Sequence, residues 1–291
     1  MAGNLRALRR KIKTVRNIEH ITRAMQFVAA AKLAKLQKRV TAGREYAETL
    51  REILHHVAAS QPEDPPAYLV PREIQHVGLV LMGGDRGLCG AFNQQVMRTA
   101  EAFLAQAKAP VSVITVGAKA TRFAKRHGLE IVAEYPGVSE LGRTSPALAL
   151  ARQIRAQYDS RAWDLVQVVY EDFRSVMRHQ PHSEQFLPIP PAAANGNGNG
   201  AEAWGQYSYE PPVAELLEIL LPQALDAMIY QMALGTQTAE QAARMTAMRA
   251  ATDSANELMT NLTRRLNRAR QYGITSEIMD VVGGASAIGA V

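Results

Sequence analysis

"MTAMRAATDSANELMTNLTRRLNRA", residues 245–269, frames the rest of the chain. Its Met245, Met248, Thr252, Ala255, Met259, Leu262, Leu266 and Ala269 keep a strict alternation of three- and four-residue steps. That is the seam of a coiled coil. Just ahead of it, "TAEQ" at 238–241 has the pattern of a capping box, with Thr238 as cap and Gln241 reaching back. Further upstream, "PPVAELLEILLPQALDAMIYQMAL" (211–234) is also helical, and Pro222 predicts a kink or a break between two helices.

A seam needs a partner, and the other end of the chain offers one. Leu5, Leu8, Ile12 and Val15 repeat the same spacing, as do Ile18, Ile21, Met25 and Val28, with one three-residue phase slip between Val15 and Ile18. From Leu36 the seam resumes through Val40, Gly43, Ala47, Leu50, Leu54 and Val57, until "SQPEDPP" ends the helix. Small residues at Ala255 and Ala269 suit close approach, and the simplest pairing sets the first helix antiparallel to the last.

Between the ends the periodicity changes. "HVGLVLM" (76–82), "VSVITVG" (111–117) and "WDLVQVVYED" (163–172) read as strands buried on both faces. They alternate with helical stretches at 93–106, 118–128 and 145–158, a succession that predicts an open α/β sheet. The expected fold is therefore α/β, a Rossmann-like open α/β domain inserted between long N- and C-terminal helices that form an antiparallel coiled coil. Its divisions are an N-terminal coiled-coil helix at 1–60, the α/β domain at 72–192, a low-complexity flexible loop at 193–210 and the C-terminal helices at 211–291. A first helix of roughly 50 residues would extend about 75 Å. An insert of this size has a radius of gyration near ~14 Å, so the helical pair is expected to project beyond it with apolar surface left to cover.

Composition narrows the function. The 291 residues are 47% apolar, carry a net charge of +6 and include one cysteine, Cys89, which excludes an internal disulfide framework or a cysteine-cluster metal site. No uncharged run is long enough to span a membrane, and "MAGNLRALRRKIK" lacks the apolar core of a secretory signal. These features read as a reduced, soluble, cytosolic protein. Up to Val40 eleven Lys and Arg residues face the lone acid Glu19, and Arg244, Arg249, Arg264, Arg265, Arg268 and Arg270 add to the last helix. Such an excess calls for an acidic partner, protein or nucleic acid. Basic residues threaded through the seam itself, on two helices separated by a whole domain, weigh against a basic-zipper DNA reader.

"GGDRGLCG" (83–90) leaves the first strand where nucleotide phosphates often bind. It lacks the Gly-Lys-Ser/Thr ending of a P-loop and has the wrong spacing for a dinucleotide fingerprint. Gly84, Asp85, Arg86, Gly87 and Gly90 are read as a structural turn with left-handed backbone, Asp85 and Arg86 pairing within it. Elsewhere His55 and His56 point apart on a helix. His179 and His182 flank Pro181 in a loop without a third ligand.

Three stretches carry a resemblance. "IKTVRNIEHITRAMQFVAAAKLAK" (12–35), "DRGLCGAFN" (85–93) and "EQAARMTAMRAATDSANELMTNLTRRLNRARQYGITSEIMDVVGGASA" (240–287) are similar to the γ subunit of F-type ATP synthase, in order and spacing over essentially the whole chain. The terminal "ITSEIMDVVGGAS", with Ile274, Thr275, Glu277, Asp280, Gly284 and Ala285, is the most specific part. The resemblance implies a central rotor without catalytic residues, metal or cofactor of its own. Its partners would be the α and β subunits, the ε subunit and the c-ring, with no nucleic acid and no direct membrane span. It implies contacts to the α/β ring at Met25, Arg270, Gln271, Thr275 and Glu277, and a place at the cytoplasmic face of a bacterial plasma membrane. The alternative is a basic coiled-coil adaptor for nucleic acid or an acidic protein. Departures from the family pattern are Phe27, where methionine is common, and Ala91, where a second glycine is frequent.

Overall fold

A computed structural model of the chain describes residues 2–59, 66–137, 144–190 and 212–288. The expected flexible loop at 193–210 lies outside the described residues, as do the side chains of His55 and His56. The chain forms two compact units, one of residues 31–243 and one of residues 1–30 with 244–291.

The larger unit holds a five-stranded sheet. Its strands are β1 (Val77–Met82), β2 (Val111–Val116), β3 (Glu130–Tyr135), β4 (Leu165–Ser175) and β5 (Arg178–Leu187). The order is β3-β2-β1-β4-β5, with β1 to β4 parallel and β5 antiparallel to β4. All six residues of β1 are buried, as a central strand covered on both faces requires. Helices α2 (Phe92–Gln106) and α3 (Ala118–Arg126) cover one face, where Leu79, Leu81, Val96, Val113 and Phe123 pack. Helix α4 (Thr144–Asp159) and parts of the terminal helices α1 (Ala2–Ala59) and α5 (Val213–Ile288) supply the core of the other, built on Val80, Ile114, Val168, Ile154, Leu54, Leu225 and Ile229. Trp163 fits there because Gly78 has no Cβ, an atom that would sit 2.1 Å from the indole.

The sequence reading and the structure differ in two edge strands. β3 and β5 are the borders of the sheet, and their mix of charged and polar residues follows from having one side open. His179, Pro181 and His182 therefore lie in a strand, not a loop. Proline is tolerated there because an edge strand need not donate from every amide. Helix α5 differs as well. It runs unbroken through Pro222 and through "TAEQ", where Thr238 donates to the Leu234 carbonyl one turn back instead of capping. Thr236, Thr238, Glu240 and Gln241 are all buried, so the helix is held by its surroundings at the point where the local pattern suggested a start.

In this unit α1 presents Leu33, Leu36, Val40, Ala47, Leu50 and Leu54 inward, and it runs antiparallel to α5. Arg39 donates to the Tyr230 hydroxyl at 2.7 Å, and Gln231 donates to the Val40 carbonyl at 3.1 Å.

The smaller unit is the other portion of the same helix pair. On α5 the expected seam holds: Met248, Thr252, Ala255 and Leu262 are buried and Met245, Met259, Leu266 and Ala269 half-buried, with Gly273 and Ser276 continuing the rhythm. On α1 the phase slip is absent. Leu5, Leu8, Ile12 and Val15 are followed inward by Glu19, Thr22, Gln26 and Ala29, an unbroken alternation. Ile18, Ile21 and Val28 face outward, exposed by 47%, 60% and 57%. Three polar residues, Glu19, Thr22 and Gln26, occupy the seam where the apolar pattern pointed one residue earlier, about 100° round the helix.

Candidate functional site

The glycine turn is built from strand end to helix start. Leu88 and Gly90 take left-handed backbone (φ 63° and 58°), which turns the chain into α2. Asn93, in the first turn of that helix, reaches back. Its Oδ1 accepts from the Gly84 amide at 2.9 Å, and its Nδ2 donates to the Arg86 carbonyl at 3.3 Å and contacts the Cys89 sulfur at 3.2 Å. Asp85 does not pair with Arg86 as expected. Its Oδ1 accepts from the amide of Ala118, the first residue of α3, at 3.0 Å.

Four amides around this turn are already used. Gly83 donates to Val116, Gly84 to Asn93, Ala118 to Asp85, and Lys119 to the Gly84 carbonyl. A carboxylate of the protein occupies the positive end of α3 where an anion would bind. Packing is tight at two of the glycines: a Cβ on Gly137 would overlap Asp85 at 2.0 Å, and one on Gly84 would meet Glu240 of α5 at 3.0 Å. Nearby, burial pushes the Tyr135 phenol above its usual pKa. The arrangement joins β1, α2 and α3.

The second candidate surface is the smaller unit's outer face. Met25 is half-buried on α1 beside the outward Ile18, Ile21 and Val28, with Phe27 exposed next to it. Arg270, Gln271, Thr275 and Glu277 are all exposed and share two turns of α5, where Thr275 bonds back to the Gln271 carbonyl at 3.0 Å. Tyr272, Ile274, Ile278, Met279, Val281 and Val282 are exposed among them, so this helix end shows water a mixture of apolar and polar groups. Met25 is not part of that group. Thr22 meets Thr252 at 2.8 Å, which sets Met25 near Arg249, roughly 30 Å along α5 from Arg270 at ~1.5 Å per residue. Sequence reasoning missed the outward stripe of Ile18, Ile21 and Val28. Counting strict three-four steps from Leu5 would have found it.

A family model described as ATP synthase matches residues 4–288. A gamma chain from Desulfitobacterium hafniense is 37% identical over 286 residues, covering 98% of this chain and 99% of its own. One from Moorella thermoacetica is 38% identical over 287 residues with the same coverage. The chain belongs to the ATP synthase gamma-chain family. Among solved structures, one from the Euglena gracilis mitochondrial ATP synthase (OSCP, F1 and c-ring) aligns over all of this chain and 96% of its own, with a TM-score of 0.71 at 18% identity. One from the Tetrahymena thermophila central stalk and c-ring covers 79% of this chain and 99% of its own, with a TM-score of 0.59 at 23% identity. At those identities the likeness speaks for the fold. The Euglena likeness extends over the residues of both units.

Within that family plan Asp85 has a defined local role. Gly117, which precedes α3, has no side chain to cap the helix, and Asp85 supplies the missing acceptor from another loop. Replacing Asp85 with alanine is expected to cost about 1 kcal/mol. Urea unfolding of the full chain would measure it, with Asp85→Asn retaining most of the stability.

Proposed function

We propose that this chain is the rotating central shaft of an F-type ATP synthase, carrying c-ring rotation to the catalytic sites of the β subunits while performing no chemistry itself. The observation that carries the reading is coverage. The gamma-chain relatives align over 98% of this chain and 99% of their own length, so the whole subunit is at issue and not one shared domain. The exposed apolar and cationic groups of the helix pair support it, because a shaft enclosed by other subunits has a use for both. No helix among the described residues is long and apolar enough to cross a membrane, in keeping with a peripheral position.

In this reading the α and β subunits surround the helix pair, and Met25, Arg270, Gln271, Thr275 and Glu277 touch them. The ε subunit and the c-ring meet the larger unit, at the cytoplasmic face of a bacterial plasma membrane. Arginine suits the contact at 270, since its planar fork holds carboxylates or carbonyls bidentately. Single exposed pairs contribute about 0–1 kcal/mol, so several must act together.

The test is reconstitution with α and β subunits. The chain alone is expected to show neither ATP hydrolysis nor saturable nucleotide binding. In the membrane complex, truncation after Arg268 is expected to lower the yield of assembled enzyme or the protons pumped per ATP several-fold. Unchanged assembly and unchanged pumping would remove the contacts assigned to residues 270–277. Stoichiometric ATP binding by the isolated chain would sink the reading itself.

A further inference from the structure

Between Val15 and Ala29, helix α1 is inside out. Its buried positions are Glu19 and Thr22, while Ile18 and Ile21 are turned to water and Val28 is more than half exposed. The inward residues are held by polar contacts: Arg23 pairs with Glu19 at 2.6 Å, and the Thr22 hydroxyl meets that of Thr252 at 2.8 Å. Thr22 also lies 3.0 Å from the Glu19 carbonyl, and Thr252 lies 2.8 Å from the Met248 carbonyl. Two hydroxyl protons serve three contacts, so one contact is always without a proton. One antiparallel step from the Thr22–Thr252 layer sets Glu19 beside Ala255. Two consecutive layers of the seam therefore contain no large apolar side chain.

The spacing of the apolar residues shows what competes. The observed seam passes from Val15 to Ala29 through 19, 22 and 26, in steps of four, three, four and three. A second route between the same two residues runs through Ile18, Ile21 and Met25, in steps of three, three, four and four. Both routes cover the same length, so the flanking seam need not move. The second is overwound in its first half and underwound in its second, the local changes that stammers and stutters produce in coiled coils.

We propose that α1 has a second packing between Val15 and Ala29, in which Ile18, Ile21 and Met25 enter the seam against α5 and Glu19 turns out to water. The observed packing wins through its regular winding and its cross-helix bond. The second gains apolar burial and releases a buried carboxylate. The two thus form a two-state element inside the helix pair, independent of what surrounds it.

Disulfide trapping in the full-length chain, with Cys89→Ser as background, tests this directly. Three pairs share Ala255→Cys and differ by one residue on α1: Glu19→Cys in the seam, Ile18→Cys on the competing face and His20→Cys on the opposite side. The Glu19 pair is expected to close first. The Ile18 pair is expected to close roughly 10- to 1000-fold more slowly, as a minor state of about 0.1–10% would dictate, and well ahead of the His20 pair. Equal rates for the 18 and 20 pairs would mean general breathing and would overturn the proposal, as would no closure at 18. Adding Glu19→Leu and Thr22→Val, which fill the seam, is expected to slow the Ile18 pair further; an unchanged rate would also overturn it.

Discussion

Gly117→Ala is expected to destabilise the larger unit by about 3 kcal/mol or more, among the most damaging methyl groups the chain could gain. Gly117 joins β2 to α3 with φ 88° and ψ 149°, a backbone region essentially reserved for glycine. Space is lacking as well as conformation. A Cβ there would lie 2.4 Å from the Gly83 carbonyl oxygen and 3.1 Å from the Gly83 and Gly84 carbonyl carbons. These are backbone atoms, fixed because Gly83 donates to Val116 and the Gly84 carbonyl accepts from Lys119. No side chain can swing aside to relieve the contact. Equilibrium urea unfolding, followed by the fluorescence of buried Trp163, would measure the loss. At Gly87, in the preceding turn, a methyl group would meet nothing within 4 Å and the backbone is not left-handed, so Gly87→Ala is the control expected to change little. A loss at Gly117 no greater than at Gly87 would show that the turn can re-form around a side chain.

How much of this was legible in the sequence depends on which forces a stretch answers to. β1, β2 and the first half of β4 announced themselves because a strand covered on both faces is largely apolar. The α5 seam was equally plain, since Met245 to Ala269 places an apolar or small residue at every inward position. β5 was hidden because an edge strand is chosen for its exposed side, so "RHQPHSEQFL" reads as loop until its pairing with β4 is seen. The continuity of α5 was hidden for another reason. Pro222 and the "TAEQ" box are local signals of a break and a start, and burial of Leu217, Leu221, Leu225 and Ile229 in the sheet's core overrides them. At 18–22 of α1 the apolar side chains pointed the wrong way by one residue. The pattern of hydrophobicity there reports an outer surface, and the folding seam is carried by Glu19 and Thr22. The contacts proposed for Met25 and for residues 270–277 rest on the family resemblance alone, because exposed polar residues leave no periodic trace. Asp85 was singled out as part of the turn, but its partner on α3 was not, since a contact across 33 residues is set by the fold and not by its neighbours.

His179→Ala is expected to destabilise the chain by about 3 kcal/mol, more than the loss of one hydrogen bond, because of what it leaves behind. Glu171 lies on β4 with none of its surface exposed, and its Oε1 pairs with His179 Nδ1 at 2.8 Å. Its Oε2 has no hydrogen-bond partner among the described residues, so the imidazole alone compensates the carboxylate at that depth. Its backbone is tied as well: the Glu171 amide donates to the Thr236 hydroxyl of α5 at 3.2 Å, so the residue cannot withdraw without loosening the contact between sheet and helix. Removing the ring strands a buried carboxylate, and the cost of that outweighs any strand propensity alanine forgoes. The sign of the second step separates this from lost packing. With His179→Ala already present, Glu171→Gln is expected to restore part of the stability, since a buried amide costs less than an unpaired charge. Made alone, Glu171→Gln is expected to cost less than His179→Ala. A double-mutant cycle by urea unfolding reads the coupling between the two positions. If Glu171→Gln added further loss on top of His179→Ala, the charge would not be the problem, and the pair would count as packing like any other contact between neighbouring strands.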